Sequence, residues 1–299
     1  MYSDIRAAVV GSINMDLILN MNKVPEVGEN VLGTTYGNAS GGKGANQAIG
    51  LARLGAKVKM IGKVGNDANG EKLLKNLNEN SVDTSCVAVN GSQTGLAAIL
   101  IDGEGKNRIV VYEGANAEIN ADEAKSSISD IDLLLLQFET SEEVVIESVN
   151  KAVSSGITTV IDCGPAKNLC LEKMQGADII SPNESETYAL TGIMPENDET
   201  CLSASKILKE RSKAKFVVLK LGSRGCSVYD GESFRIIPPY PAKVVDTTAA
   251  GDCFTAAMAL EYKKSGNIYA ACDMGNKAGS FAVSKMGAQD SMPTLNDLK

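Results

Sequence analysis

The stretch "VVDTTAAGDCF" (244–254) reads as a turn that opens a helix. Val244 and Val245 lead in, and Asp246, Thr247 and Thr248 follow. Ala249, Ala250 and Gly251 then deliver Asp252 at the head of an apolar run with helical spacing. Small residues at a helix start leave its N–H groups uncovered, which makes an anion site. Asp252 has two readings there. It could favour the helix dipole, an effect worth about 0.3–1 kcal/mol. It could instead face an incoming hydroxyl and take its proton beside a transferring phosphoryl group. The stretch alone leaves both open.

Outward from this helix, strands and helices alternate. Short apolar, β-branched runs read as buried strands: "IRAAVVGSI" (5–13), "KVKMIGKVG" (57–65), "DLLLLQF" (132–138), "TTVIDCG" (158–164), "ADIISPN" (177–183) and "KFVVLKLG" (215–222). Amphipathic segments at roughly 43–54, 67–80, 141–155, 198–213, 251–264 and 267–285 fall between or after them. This predicts an α/β three-layer sandwich with a mostly parallel sheet, helices on both faces and ligands beyond the carboxyl ends of the strands. Two segments break the alternation. Residues 16–40 read as irregular strands around "VPEVGEN", and 94–112 as a hairpin turning at "DGEGKN". Together they predict a small β-sheet whose apolar face needs a cover, either substrate or a second subunit.

Composition narrows the chemistry. The 299 residues include no histidine, which removes Ser-His-Asp and Cys-His nucleophiles and H-E-x-x-H zinc proteases. A general base must then be a carboxylate or, less naturally, Lys, Tyr or Cys. Seven cysteines without a C-x-x-C pair read as reduced thiols of a cytoplasmic protein. A net charge of −8 with no basic block argues against a nucleic-acid partner. No apolar run reaches the roughly eighteen residues of a membrane span, and "MYSDIRAAVVGSIN" lacks the features of a signal peptide.

Several polar clusters sit at strand ends or helix starts. "GNASGGKGAN" (37–46) spells G-x-x-x-x-G-K, but Gly44 stands where a P-loop needs a Ser or Thr hydroxyl. What remains is a glycine turn opening a helix, with Lys43 and Asn46 three apart and able to face one site. "GSINMD" (11–16) places Asn14 and Asp16 on one face of extended chain, either as a clamp for sugar hydroxyls or as turn formers. Glu139 ends "LLLLQFE" and could accept from a hydroxyl, although a helix start capped by Thr140 or Ser141 explains it better. Asn183 and Glu186 in "SPNESE" could act through Mg²⁺ and its waters, or simply cap a helix. "LKLGSRG" (219–225) has the backbone of a nucleotide-lining turn, a weak signal by itself.

Taken together, these pieces resemble the ribokinase-like (pfkB) family of carbohydrate kinases. The resemblance runs from "VVGSINMDLIL" to "KMGAQDSMP", and its specific motifs are "GGKGANQA" and "DTTAAGDCF". It implies an α/β core (1–15, 41–93 and 113–299) with a β-sheet lid (16–40 and 94–112) that covers substrate and pairs in a homodimer. It implies MgATP-dependent phosphorylation of the 5-hydroxyl of D-ribose, with Asp252 as base and Ala249, Ala250 and Gly251 as anion hole. Asn14, Asp16, Gly42, Lys43, Asn46, Glu139 and Asp252 would bind the sugar. Asn183, Lys220, Gly222, Ser223, Gly225, Gly251 and Asn276 would contact ATP, and Glu186 would support Mg²⁺ through water. Asp246, Thr248, Ala282, Lys285, Gly287 and Ser291 match a site for an activating monovalent cation, usually K⁺. Where the wider family often has G-A-G-D, this chain has Ala249-Ala250-Gly251-Asp252, a difference of one methyl group. Other small sugars or nucleosides (2-deoxyribose, fructose, adenosine) are alternative acceptors. A non-catalytic sugar or nucleotide sensor is the alternative of another class.

Overall fold

Apolar runs without polar alternation make strands buried on both faces, and such strands dominate this chain. The computed structural model describes residues 2–165 and 170–299. In chain order the strands are β1 (Arg6–Val10), β2 (Asn14–Met21), β3 (Gly33–Gly41), β4 (Lys57–Gly65), β5 (Val82–Asn90), β6 (Gly95–Ile101), β7 (Asn107–Tyr112), β8 (Leu133–Leu136), β9 (Thr158–Asp162), β10 (Ile179–Ser181), β11 (Phe216–Lys220), β12 (Cys226–Tyr229) and β13 (Phe234–Ile237). The helices are α1 (Lys43–Arg53), α2 (Ala68–Glu79), α3 (Ala121–Ser127), α4 (Glu142–Ser154), α5 (Glu184–Thr191), α6 (Asp198–Ser212), α7 (Ala250–Ser265) and α8 (Ile268–Ala282).

The main sheet has nine strands in the order β13-β12-β11-β10-β9-β8-β1-β4-β5. Neighbours from β5 to β11 pair in parallel, and β12 and β13 close that edge antiparallel. Successive side chains of a strand point to opposite faces, so each central strand feeds two cores. Ala7, Val9, Leu133 and Leu135 join α1, α2, α7 and α8 on one face. Ala8, Val10, Leu134 and Leu136 join α3, α4, α5 and α6 on the other.

The second sheet has four strands in the order β3-β2-β6-β7. It leaves the main sheet directly after β1 and returns at Gly41, immediately before α1. The segment expected to hold irregular strands forms a regular antiparallel pair, β2 with β3, whose one register shift falls between Asn20 and Met21. Polar residues interrupt its apolar pattern because one face meets solvent. The sequence pattern does not mark β5, the β12–β13 hairpin or α3, and it marks α5 only by its cap, Asn183. The last two are short helices of 7 and 8 residues, too brief for a clear period.

Candidate active site

The chain runs outward from β1 to β4 and β5, then returns to β8 on the other side of β1. The crevice between β1 and β8 is therefore a topological switch point, where open α/β sheets bind ligands. Polar residues bridge it. Ser12, just beyond β1, donates its hydroxyl to Glu139, just beyond β8, and Lys43 N donates to the same carboxylate at 3.1 Å. The helix cap proves to be Ser141, which accepts from Val144 N. Glu139 is thereby free of capping and turns toward the crevice.

The glycine turn fixes how close α1 comes. Gly42 has φ 89°, and an added Cβ would stand 2.7 Å from Asn14 N and 2.8 Å from Ser12 O. Only glycine takes that conformation at that distance. Lys43 and Asn46 follow on the first turn of α1, and both reach Asp252. Lys43 Nζ lies 3.4 Å from Oδ1, and Asn46 Nδ2 donates to Oδ2 at 3.0 Å. Gln47 Nε2 adds a third contact, 3.1 Å from Oδ1. Asp252 itself is 4% exposed, on the first turn of α7.

A second carboxylate lies behind the first. Asp162, at the end of β9, is fully buried. Its Oδ2 accepts from Lys220 Nζ at 2.8 Å, Thr255 Oγ1 at 3.0 Å and Gln47 Nε2 at 3.1 Å, and its Oδ1 accepts from Gly164 N at 3.1 Å. Burial pushes this carboxyl up, but Lys220 and Lys43 with the hydrogen bonds outweigh it and hold it below the usual range. Lys43 shows the reverse balance. Burial opposes its charge, and the fields of Asp162, Asp252, Glu186 and Glu139 together raise it well above the usual lysine value. Asp16, beside this group on β2, has no such cation among the described residues. Burial, then repulsion from Glu139 and Asp252, raises it to about 7.

α7 starts without a side-chain cap, because Ala249 occupies the cap position in the left-handed region (φ 58°). Among the described residues, the N–H groups of Gly251 and Asp252 meet no acceptor. A Cβ added to Gly251 would lie 3.8 Å from Lys220 Nζ, so a buried ammonium stands next to these uncovered donors. Asn183 and Glu186 form a capping box at α5: Asn183 Oδ1 accepts from Glu186 N, and Glu186 accepts from Asn183 N and Nδ2. Burial raises the Glu186 carboxyl, with Asp162 adding to the rise and the two lysines opposing it. Across the strand ends, Gly222, Ser223 and Gly225 form a tight turn after Lys220. Asn276 Nδ2 donates to the carbonyls of Ile237 and Pro238 at 3.0 Å each, which pins the neighbouring segment.

Asp246 joins two loops. Its Oδ1 accepts from Thr248 N and Oγ1, and its Oδ2 accepts from Gly287 N at 2.9 Å. These hydrogen bonds outweigh partial burial and hold its carboxyl low. Ser291 Oγ donates to Ala288 O, and Lys285 N to Ala282 O, within the second loop. The Lys285 ammonium lies over the Phe281 ring rather than in the loop, 4.2 Å from its centroid.

Facing the crevice is a cleft of about 580 Å³ between the two sheets. Asn14, Glu139 and Pro165 line one side, Val111, Tyr112 and Glu113 another, and Gly114, Asn116, Ala117 and Glu118 complete the wall. That volume suits a small ligand. Asp252 is not in the wall, but Lys43 connects the two, bonding Glu139 through its backbone and Asp252 through its ammonium.

Sequence reading named Asp252, Lys43, Asn46, Glu139, Lys220 and Glu186, and the fold brings these together. It missed Ser12, Gln47, Gln137, Asp162 and Thr255. Each sits inside a quoted strand or helix, where a polar residue at a strand's carboxyl end or one helical turn from a named residue was the available signal.

Known proteins share this arrangement of chain. The profile described as pfkB family carbohydrate kinase matches residues 4–295. The chain is 38% identical over 295 residues to the ribokinase of Bacillus subtilis (strain 168), covering 97% of each. It is 40% identical over 293 residues to the bifunctional ribokinase/ribose-5-phosphate isomerase A of Fructilactobacillus sanfranciscensis, covering 96% of the chain and 54% of that protein, so it spans about half of that relative's length. A solved structure of Arabidopsis thaliana ribokinase complexed with ribose and ATP has a TM-score of 0.85 to it at 30% identity, with 98% and 96% of the two chains covered. Profile, near-full-length identity and fold agree, and the chain belongs to the pfkB family of carbohydrate kinases, the ribokinase-like family its motifs resemble.

Proposed function

We propose that this protein transfers the γ-phosphoryl group of ATP to the 5-hydroxyl of D-ribose, with Asp252 as the base. One observation carries the reading: a buried carboxylate held by Lys43, Asn46 and Gln47 at a helix start where the N–H groups of Gly251 and Asp252 are uncovered, while Ala250 N donates to Thr247 O. Asp252 Oδ1 is occupied by Gln47 and Lys43, whereas Oδ2 has a single donor, Asn46. Oδ2 therefore keeps the capacity to accept the hydroxyl proton. The N–H groups of Gly251 and Asp252, with the Lys220 ammonium beside them, would face the charge that develops on the moving phosphoryl group. Asn14, Asp16 and Glu139 supply acceptors and an amide for sugar hydroxyls, with Gly42, Lys43 and Asn46 shaping the opposite side.

Mg²⁺ with ATP fits the donor set. Glu186 is a buried carboxylate near two ammonium groups, suited to holding a hydrated hard cation. Bound Mg²⁺ would neutralise phosphate charge. Asn183, Lys220, the 222–225 turn and Asn276 would seat the nucleotide. K⁺ fits the loops joined by Asp246, where Thr248, Ala282, Lys285, Gly287 and Ser291 offer mostly backbone oxygens. The small sheet would cover the sugar and form a homodimer through β7, which exposes Ile109, Val110, Val111 and Tyr112 in a row. The seven unpaired cysteines support a cytoplasmic setting.

Coupled ADP release with ribose, 2-deoxyribose, fructose and adenosine tests the function. Ribose is expected to give the highest kcat/KM, with 2-deoxyribose at least about tenfold lower because buried acceptors lose a donor. Rates should rise with K⁺ over Na⁺. No sugar-dependent ADP release, or no preference for ribose, overturns the reading.

A further inference from the structure

We propose that Gln47 is a positioning residue that locks the orientation of Asp252; the role rests on Asp252 being the base. Gln47 is fully buried, so it cannot touch substrate. Its Nε2 lies 3.1 Å from Asp162 Oδ2 and 3.1 Å from Asp252 Oδ1. Ionised carboxylates only accept, and a primary amide has two N–H donors. Both hydrogens are therefore committed, one to each aspartate. The other end is fixed as well, since Gln47 Oε1 accepts from Gln137 Nε2 at 2.6 Å. Flipping the amide would set an oxygen against two carboxylate oxygens and an NH₂ against an NH₂. One orientation satisfies all three contacts.

The anchors at both ends are buried. Gln137 is buried at the end of β8, and its Oε1 occupies the space a Cβ of Gly11 would take. Asp162 is held by Lys220, Thr255 and Gly164 N. Thr255 and Asp252 stand one turn apart on α7, so the network ties the helix as well as the side chain. Lys43 and Asn46 also hold Asp252, but they are the proposed sugar contacts. Gln47 alone among its three partners is wholly committed to orientation. A base misaimed by about 1 Å can lose roughly a hundredfold in rate.

The test uses the full chain with MgATP, K⁺ and ribose. Gln47→Leu removes the amide at similar volume and is expected to lower kcat about 10–100-fold, with both KM values within about threefold. Gln47→Leu leaves Gln137 short of an acceptor, so Gln47→Leu/Gln137→Leu removes both amides together, a change that folds more readily, and should show the same kcat loss. In an Asp252→Asn background, Gln47→Leu should cost less than about threefold more, because the group it orients no longer acts. Soluble Gln47→Leu with near wild-type kcat, a loss confined to KM, or an equal loss in the Asp252→Asn background overturns the role. Wild-type protein without sugar-dependent ADP release overturns the function and this role with it.

Discussion

The two sides of the cleft are built on opposite principles. On the main-sheet side, Asp252 and Asp162 are buried; three donors of α1 hold Asp252, and donors from α1, β11 and α7 hold Asp162. On the small-sheet side, every residue of β7 is exposed and four of them are large and apolar. A buried hydrogen-bonded network is costly to break. An exposed apolar strand contributes little until something covers it. The difference suggests a prebuilt floor and a cover completed by ligand or by a second copy.

This contrast can be broken from either side, with effects of decreasing size. Asp162→Ala leaves Lys220 buried without its partner and should cost about 3–5 kcal/mol of stability, read as a lower midpoint in urea. Leu134→Ala, fully buried in the central strand β8, should cost about 2–5 kcal/mol, whereas Ile109→Ala on β7 should stay within about 0.5 kcal/mol. An equal cost at both positions would show that the small sheet is as fixed as the core. Val110→Glu should convert a dimer to monomer in sedimentation velocity and raise the KM for sugar severalfold, while leaving the melting temperature of the core nearly unchanged.

A further contrast lies in the response to pH. Asp16 is raised to about 7 by burial and by Glu139 and Asp252. Its folded value exceeds its unfolded value, so the folded state penalises the charged form. Asp16 therefore subtracts stability progressively as pH rises from about 4 to about 7, and the loss is recovered as pH falls back. Asp16→Asn should melt higher than wild type at pH 8 and alike at pH 4. If Asp16 takes the proposed role of sugar acceptor, it accepts best when ionised, so the wild-type KM for ribose should rise below about pH 7.

Much of this was legible because sequence periodicity follows burial. β8 is a run of four leucines buried on both faces, and a run like that reads as a parallel strand. β2 and β3 were harder, since one side of the small sheet is wet and Gly37, Asn38 and Ser40 dilute the pattern. In the site, residues beside glycine turns were visible: Lys43, Asn46 and Asp252 each follow one. Asp162 and Gln47 were not, because their meaning depends on partners some two hundred residues or more than a hundred residues apart, and a polar residue at a strand end is common. Glu139 shows the limit of local rules. Its neighbour Ser141 takes the cap, and only the β1–β8 crossover reveals where Glu139 points.

Asp252→Asn is the direct test of the central claim. It keeps the size but removes the proton acceptor, so ribose-dependent ADP release should fall by about 10²–10⁴ in kcat. ATP binding, measured by calorimetry on the same protein, should remain within a few-fold of wild type. Turnover near the wild-type rate would show that Asp252 only caps the helix, and the proposed mechanism would be wrong.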